Sequence, residues 1–240
     1  MVPPKRSPYQ RVEVIGLVWE GHDHRKRDGP VFNADQELDM VMRTFRDYGY
    51  GTHVTRIPKD PRLRNGFNNH LQHKFDNIAR NSVSALVILY YQGHGGLDGR
   101  NELVLSNGNG QSMHWGVVAN AVISARCDVL SILNCCHAGA AMNTPFSARR
   151  NLNYERHLKE VMMAVPSNAT TNWGVRRGFA ACLDKALRDQ YYEWQNGFTG
   201  RPEHWARAIS RIQGGAVGVK SLVRPPPHAN SRPIVLARRR

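Results

Sequence analysis

The hydrophobic pattern of the chain switches between strand-like runs and helix-like spacing from one end to the other. Residues 12–18 read as the first strand, and after a charged, glycine-containing loop Asn33 and Gln36 have the N-cap to N3 spacing of a capping box. Leu38, Val41, Met42 and Phe45 then recur at helical spacing as far as Gly49, so this helix is expected to pack one face on a sheet. Residues 52–57 read as a second strand, stopped by Pro58 and Pro61, because proline removes a ladder donor and restricts its predecessor. A second amphipathic helix carries Leu71, Phe75, Ile78 and Ala79 on one face.

Residues 85–91 are continuously apolar and aromatic, as expected of a central strand covered on both sides. A strand-like piece at 102–105 and a helix near 115–124 lead to a further buried strand at 129–133. The polar stretch 142–159, with its proline and arginines, reads as a long loop, and 161–165 as another strand. Two helices follow, one with Phe179, Cys182, Leu183, Ala186 and Leu187 inward, the other with Trp205, Ala208, Ile209 and Ile212 inward. Pro225, Pro226 and Pro227 mark a connection, and 234–236 is expected to form a final short strand. Such alternation predicts an α/β sandwich in which helices flank a mostly parallel sheet of about six strands.

Composition narrows the class. Apolar residues make up 41% and charged residues 22% of the 240, ordinary globular usage, which sets aside a disordered tail or a fibrous repeat and suits one domain. No stretch approaches the roughly 20 apolar residues needed to span a bilayer, and residues 1–11 are basic with no apolar signal core, so a cytoplasmic or nuclear protein is expected. The four cysteines, two of them adjacent at Cys135 and Cys136, make no disulfide framework and should be thiols. Charge is lopsided, 33 Lys+Arg against 19 Asp+Glu for a net +14. The basic groups at 25–27, 149–150, 176–177 and 238–240 fall in loops or termini, without zinc-finger spacing, an RNA-binding aromatic signature or a basic heptad. They read as a solvated basic surface, and no specific nucleic-acid partner is expected.

The chemistry gathers at two strand ends. In parallel α/β sheets ligands and catalytic groups lie beyond the carboxyl ends of the strands. The strand 85–91 ends in Gln92, Gly93, His94, Gly95 and Gly96, and the strand 129–133 ends in Asn134, Cys135, Cys136, His137, Ala138 and Gly139. If these strands are neighbours, an imidazole faces a thiol. Such a pair favours the thiolate and can afterwards protonate a leaving amine, while the backbone N–H groups of Gly95 and Cys136 could form an oxyanion hole. Adjacent strand residues point to opposite faces, so only one of Cys135 and Cys136 can meet His94.

Tyr90-Tyr91-Gln92-Gly93-His94-Gly95 resembles the Tyr-x-Gly-His-Gly segment of caspases and metacaspases, and Asn134-Cys135-Cys136-His137-Ala138-Gly139 resembles their Asp-x-Cys-His-Ser-Gly segment. Cys136 follows His94 by about forty residues, which suits the caspase spacing of about 50. The resemblance implies a three-layer caspase-like sandwich, with 12–141 like the large-subunit region, 142–160 like the intersubunit linker, 161–236 like the small-subunit region and 237–240 a basic tail. It implies a cysteine endopeptidase with His94 as base, Cys136 as nucleophile and protein or peptide substrates. Self-cleavage in the linker would fall at Arg149 or Arg150.

Departures from the family pattern qualify specificity. Asn134 stands where metacaspases carry an acid that helps bind a basic P1 side chain, Ala138 replaces a small hydroxyl residue, and Gln92 replaces a small residue. Asp35, at the start of the first helix, is a candidate surviving acid of the S1 pocket, against the plainer reading of an aspartate interacting with the helix dipole. No dense acidic cluster supports the calcium requirement of many metacaspases, and no metal or other cofactor is expected. His22 with His24, or Cys135 with His137, lack the spaced pairs of structural zinc. Two alternatives stand beside the peptidase: a catalytically weak or inactive caspase-like interaction module, and a basic nucleic-acid binder.

Overall fold

The computed structural model describes residues 7–21, 34–80, 82, 84–144, 157–171, 178–194, 200–213, 216–222 and 234–236. Strand β1 (Arg11–Trp19) leads to helix α1 (Ala34–Asp47), and β2 (Gly51–Ile57) returns beside it. Two helices follow, a single turn α2 (Pro61–Asn65) and α3 (Phe67–Arg80), before the central strand β3 (Ala85–Gln92). The strand ends at Ile57, ahead of Pro58 as expected, and Pro61 in addition opens α2. Asp60 caps it by accepting from the Arg62 N–H at 2.8 Å, and proline costs nothing in a first turn.

The piece expected at 102–105 belongs to a small antiparallel sheet of β4 (His94–Leu97), β5 (Leu103–Ser106) and β6 (Ser112–His114), from which α4 (Trp115–Ser124) emerges. Strand β7 (Asp128–Asn134) runs into a 3-10 turn, Ala138–Asn143, and β8 (Lys159–Met163) starts two residues earlier than its apolar pattern suggests. Helices α5 (Phe179–Trp194) and α6 (Pro202–Gln213) precede β9 (Gly218–Ser221).

The main sheet has six strands in the order β2-β1-β3-β7-β8-β9, parallel throughout except for β9. The expected last strand at 234–236 does not supply the sixth position. Leu236 makes an isolated antiparallel bridge with Gly200, and β9, with only Val219 as a strongly apolar residue, gives too weak a pattern to announce itself.

Period-two alternation assigns each strand residue to one of two cores. Val87, Leu89 and Tyr91 of β3 join α3 and α4 on one side, while Leu86, Ile88 and Tyr90 join α1, α5 and α6 on the other. This is the three-layer α/β sandwich the alternation predicts. Gly16 lets α1 lie close to the sheet, since a Cβ there would come within 2.8 Å of Leu38 Cδ1.

Candidate active site

Strands β3 and β7 are hydrogen-bonded neighbours whose register pairs Gln92 with Asn134. His94 and Cys136 therefore each stand two residues past the same cross-strand pair, at the carboxyl edge of the sheet. The chain turns at Gly93, whose N–H donates to Asn134 O at 3.3 Å, and enters β4 at His94. The Tyr91 hydroxyl donates to His94 O at 2.8 Å and fixes the backbone of that turn. Gly95 is required by close approach: a Cβ on it would overlap the Cys136 carbonyl oxygen and reach Cys135. The two strand tips are in backbone contact.

In the β4–β5 hairpin the Asp98 N–H donates to Glu102 O at 3.1 Å. Alternate antiparallel pairs are hydrogen-bonded, so His94 and Gly96 pair with Ser106 and Val104, and the Gly95 N–H faces away from β5.

Alternation along β7 separates the two adjacent cysteines. Cys135 is wholly buried in the α3–α4 core, where burial pushes its thiol far above the ordinary range. Cys136 is half-buried and has left the strand. Its Sγ accepts from the Thr171 N–H at 3.4 Å, with the Thr171 hydroxyl 3.8 Å away. His137 adopts the left-handed conformation (φ 57°), which swings the chain into the 3-10 turn. His94 is also half-buried, and desolvation holds its imidazole below the ordinary histidine range, so it is neutral near neutral pH and able to accept a proton.

Behind these tips lies a buried polar network on the α1 side. Gln92 is 0% and Asn134 1% exposed. Gln92 Nε2 donates to Glu37 Oε2 at 3.0 Å, and Gln92 Oε1 accepts from the Tyr90 hydroxyl and from Asn134 Nδ2, both at 2.7 Å. A carboxylate only accepts, so Glu37 fixes the orientation of the Gln92 amide, and Gln92 in turn fixes that of Asn134. Asn134 Oδ1 is left buried with no hydrogen-bond partner among the described residues.

Of the residues expected at the site, His94, Gly95, Asn134 and Cys136 come together. Asp35 does not join them in the same way. Its carboxylate pairs with Arg56 on β2 at 3.0 Å, whereas Glu37, two residues further along α1, reaches Gln92. Sequence reasoning missed Glu37, although two departures from the family pattern, Gln92 and Asn134, left carboxamides that needed an acceptor. Arg149, Arg150, His22 and His24 lie outside the described residues. Asp98, Glu102 and His114, scattered in sequence, bring ligand atoms within 4.8 Å of one another on the hairpin beyond His94, a grouping that no local spacing revealed.

No family model matches this sequence, and no curated protein sequence matches it. Among solved structures, the crystal structure of caspase-1 from Spodoptera frugiperda superposes with a TM-score of 0.58 at 11% identity, over 90% of this chain and 88% of that one. The fold is caspase-like. At that identity the likeness concerns the caspase-like fold alone. Among the described residues no helix is long and apolar enough to cross a membrane.

Proposed function

We propose that the protein is a cysteine endopeptidase that cleaves peptide bonds through Cys136 and His94. The register carries this reading: Gln92 and Asn134 pair across β3 and β7, and the histidine and the half-buried thiol follow them in step on adjoining tips. The Cys136 thiol gives its proton to His94 and its sulfur attacks the substrate carbonyl carbon. The tetrahedral oxyanion is held by the N–H groups of Gly95 and Cys136. His94 then passes the proton to the leaving nitrogen as the C–N bond breaks, and water hydrolyses the thioester. Glu37, linked to Asn134 through Gln92, supplies a carboxylate on the side of the acid missing at Asn134, which favours a basic P1 residue. Arg149 and Arg150 are then candidate self-cleavage points, to be read by intact mass of wild-type and Cys136→Ala protein.

The second reading, an inactive caspase-like interaction module, draws on the same Asn134 and Ala138. A peptide vinyl sulfone separates the two. A peptidase is labelled at Cys136 and loses labelling with His94→Ala; a protein that stays unlabelled across a library of P1 residues is the interaction module. The nucleic-acid reading rests on the +14 charge alone.

A further inference from the structure

We infer that Thr171 is the positioning residue of the Cys136 sulfur, presenting its backbone N–H and its hydroxyl to that atom from the side of the loop that follows β8. The inference rests on the peptidase reading for its catalytic consequence, and on geometry alone for the contact. A loop that merely passed the site would not be fastened to it. This one is zipped along the turn that carries Cys136: the Gly139 N–H donates to Val165 O at 3.0 Å, the His137 N–H to Ala169 O at 2.8 Å, and His137 Nδ1 to Ser167 O at 2.8 Å. A carbonyl can only accept, so that imidazole nitrogen carries the proton. As the turn runs from 139 back to 136, the loop runs from 165 to 171, which brings Thr171 opposite Cys136.

Two further observations give the contact its chemistry. Gly139 is what allows the zip to close, because a Cβ there would overlap the Ser167 nitrogen and crowd Pro166. Thr171 is only 8% exposed, so its groups meet the half-buried sulfur with reduced access for water, where a hydrogen bond is electrostatically stronger. A backbone N–H can only donate, so the sulfur is the acceptor in this contact. Thr171 thus fixes where the sulfur sits and how it meets an electrophile.

The test compares Thr171→Val, which keeps the shape and the N–H but removes the hydroxyl, with Thr171→Ser and Thr171→Ala. The rate of iodoacetamide modification of Cys136, followed by peptide mass, needs no peptidase activity; kcat and KM are measured on the best fluorogenic peptide. Thr171→Val and Thr171→Ala should be alkylated about fivefold more slowly and show kcat about tenfold lower with KM within about twofold. Thr171→Ser should return both to about the wild-type level. Alkylation of Thr171→Val at the wild-type rate overturns the inference, and so does Thr171→Ser as slow as Thr171→Val, because then only packing was lost. Should the wild type cleave no peptide, the peptidase reading falls while the alkylation rates still decide the role of Thr171.

Discussion

The two ends of the parallel sheet bury polar groups in opposite ways. At the carboxyl end the groups are neutral, two buried carboxamides and a buried tyrosine hydroxyl linked through Gln92 to Glu37, and a half-buried imidazole held below its ordinary range. At the amino end they are ionisable. Lys159, 1% exposed, donates from Nζ to Ala125 O at 2.9 Å and to Cys127 O, and burial pulls it down to about 8. Burial, with Glu203 and Asp128 nearby, pushes Glu160 up to about 7, and burial pushes Cys127 up to about 11. Asp128 accepts from the Tyr9 hydroxyl and the Leu158 N–H, both at 2.8 Å. Strong perturbation is therefore found at both ends, at Cys135 as well as at Lys159, Glu160 and Cys127, and does not single out the end where Cys136 and His94 adjoin. Desolvation by itself marks a packed position, and the candidate chemistry is marked instead by glycine-permitted backbone contact and register.

The sharpest way to break that contrast is to disable each end in turn. Cys136→Ala and His94→Ala should each lower turnover by about 1,000-fold or more and leave the fold intact, with the double variant little worse than either. Cys135→Ala should keep its activity and lose about 1 kcal/mol or more of stability, because it opens a cavity in the α3–α4 core. A Cys135→Ala protein that folds but cannot be labelled by a peptide vinyl sulfone would reverse the assignment of the two thiols.

At the amino end, Lys159→Met should cost about 2–4 kcal/mol in urea unfolding, since it strips a charged donor from two backbone carbonyls. Peptide turnover should stay within about twofold. If kcat falls while the urea midpoint holds, the amino end is not merely structural.

Much of this was legible in the sequence because the central strands are covered on both faces and so read as continuous apolar runs. The helices of both outer layers follow 3.6-residue periodicity, and the tips of β3 and β7 carry the two motifs outright. What escaped depends on long-range contact. β9 owes its place to pairing with β8, not to its own pattern. Glu37 looks like any first-turn acid until Gln92 is seen against it, and Asp35 is the more conspicuous choice only because Arg56 is remote in sequence. Thr171 sits 35 residues from Cys136 in a stretch with no periodic signal.

The neutral character of the carboxyl end can be tested as a relay. Asn134→Asp alone sets an acceptor against Gln92 Oε1, so Gln92 must flip and lose Glu37. Glu37→Gln alone removes the charge that orients the amides. Combined, the two changes rebuild a chain with one carboxylate at its other end. The double variant should recover about 1–2 kcal/mol of stability relative to the sum of the single ones, read from a double-mutant cycle. Glu37→Gln should also lower kcat/KM for arginine at P1 by about tenfold, with little change for neutral P1. Additive energies would show that Gln92 does not couple the two positions.

The smallest expected effect belongs to the amino end and depends on pH. Glu160 holds its proton up to about pH 7 in the fold and to about 4.5 when unfolded. Between those values the native state binds more protons, so stability falls as pH rises, and the full penalty is present above pH 7. Lys159 behaves in reverse. Its folded value of about 8 lies below the unfolded 10.5, so in that window the unfolded state binds more protons and stability rises with pH. Taken together, these two neighbours on β8 place a shallow minimum of stability between the two windows. Glu160→Gln should remove the falling limb and stabilise the protein by about 1 kcal/mol above neutral pH, after allowing for the partial exposure of the carboxyl. Below about pH 4.5 it should change little. Urea midpoints at acidic and alkaline pH measure this directly, and a Glu160→Gln protein no more stable than the wild type at alkaline pH would show that water reaches the carboxyl and that the amino end is less dry than its burial suggests.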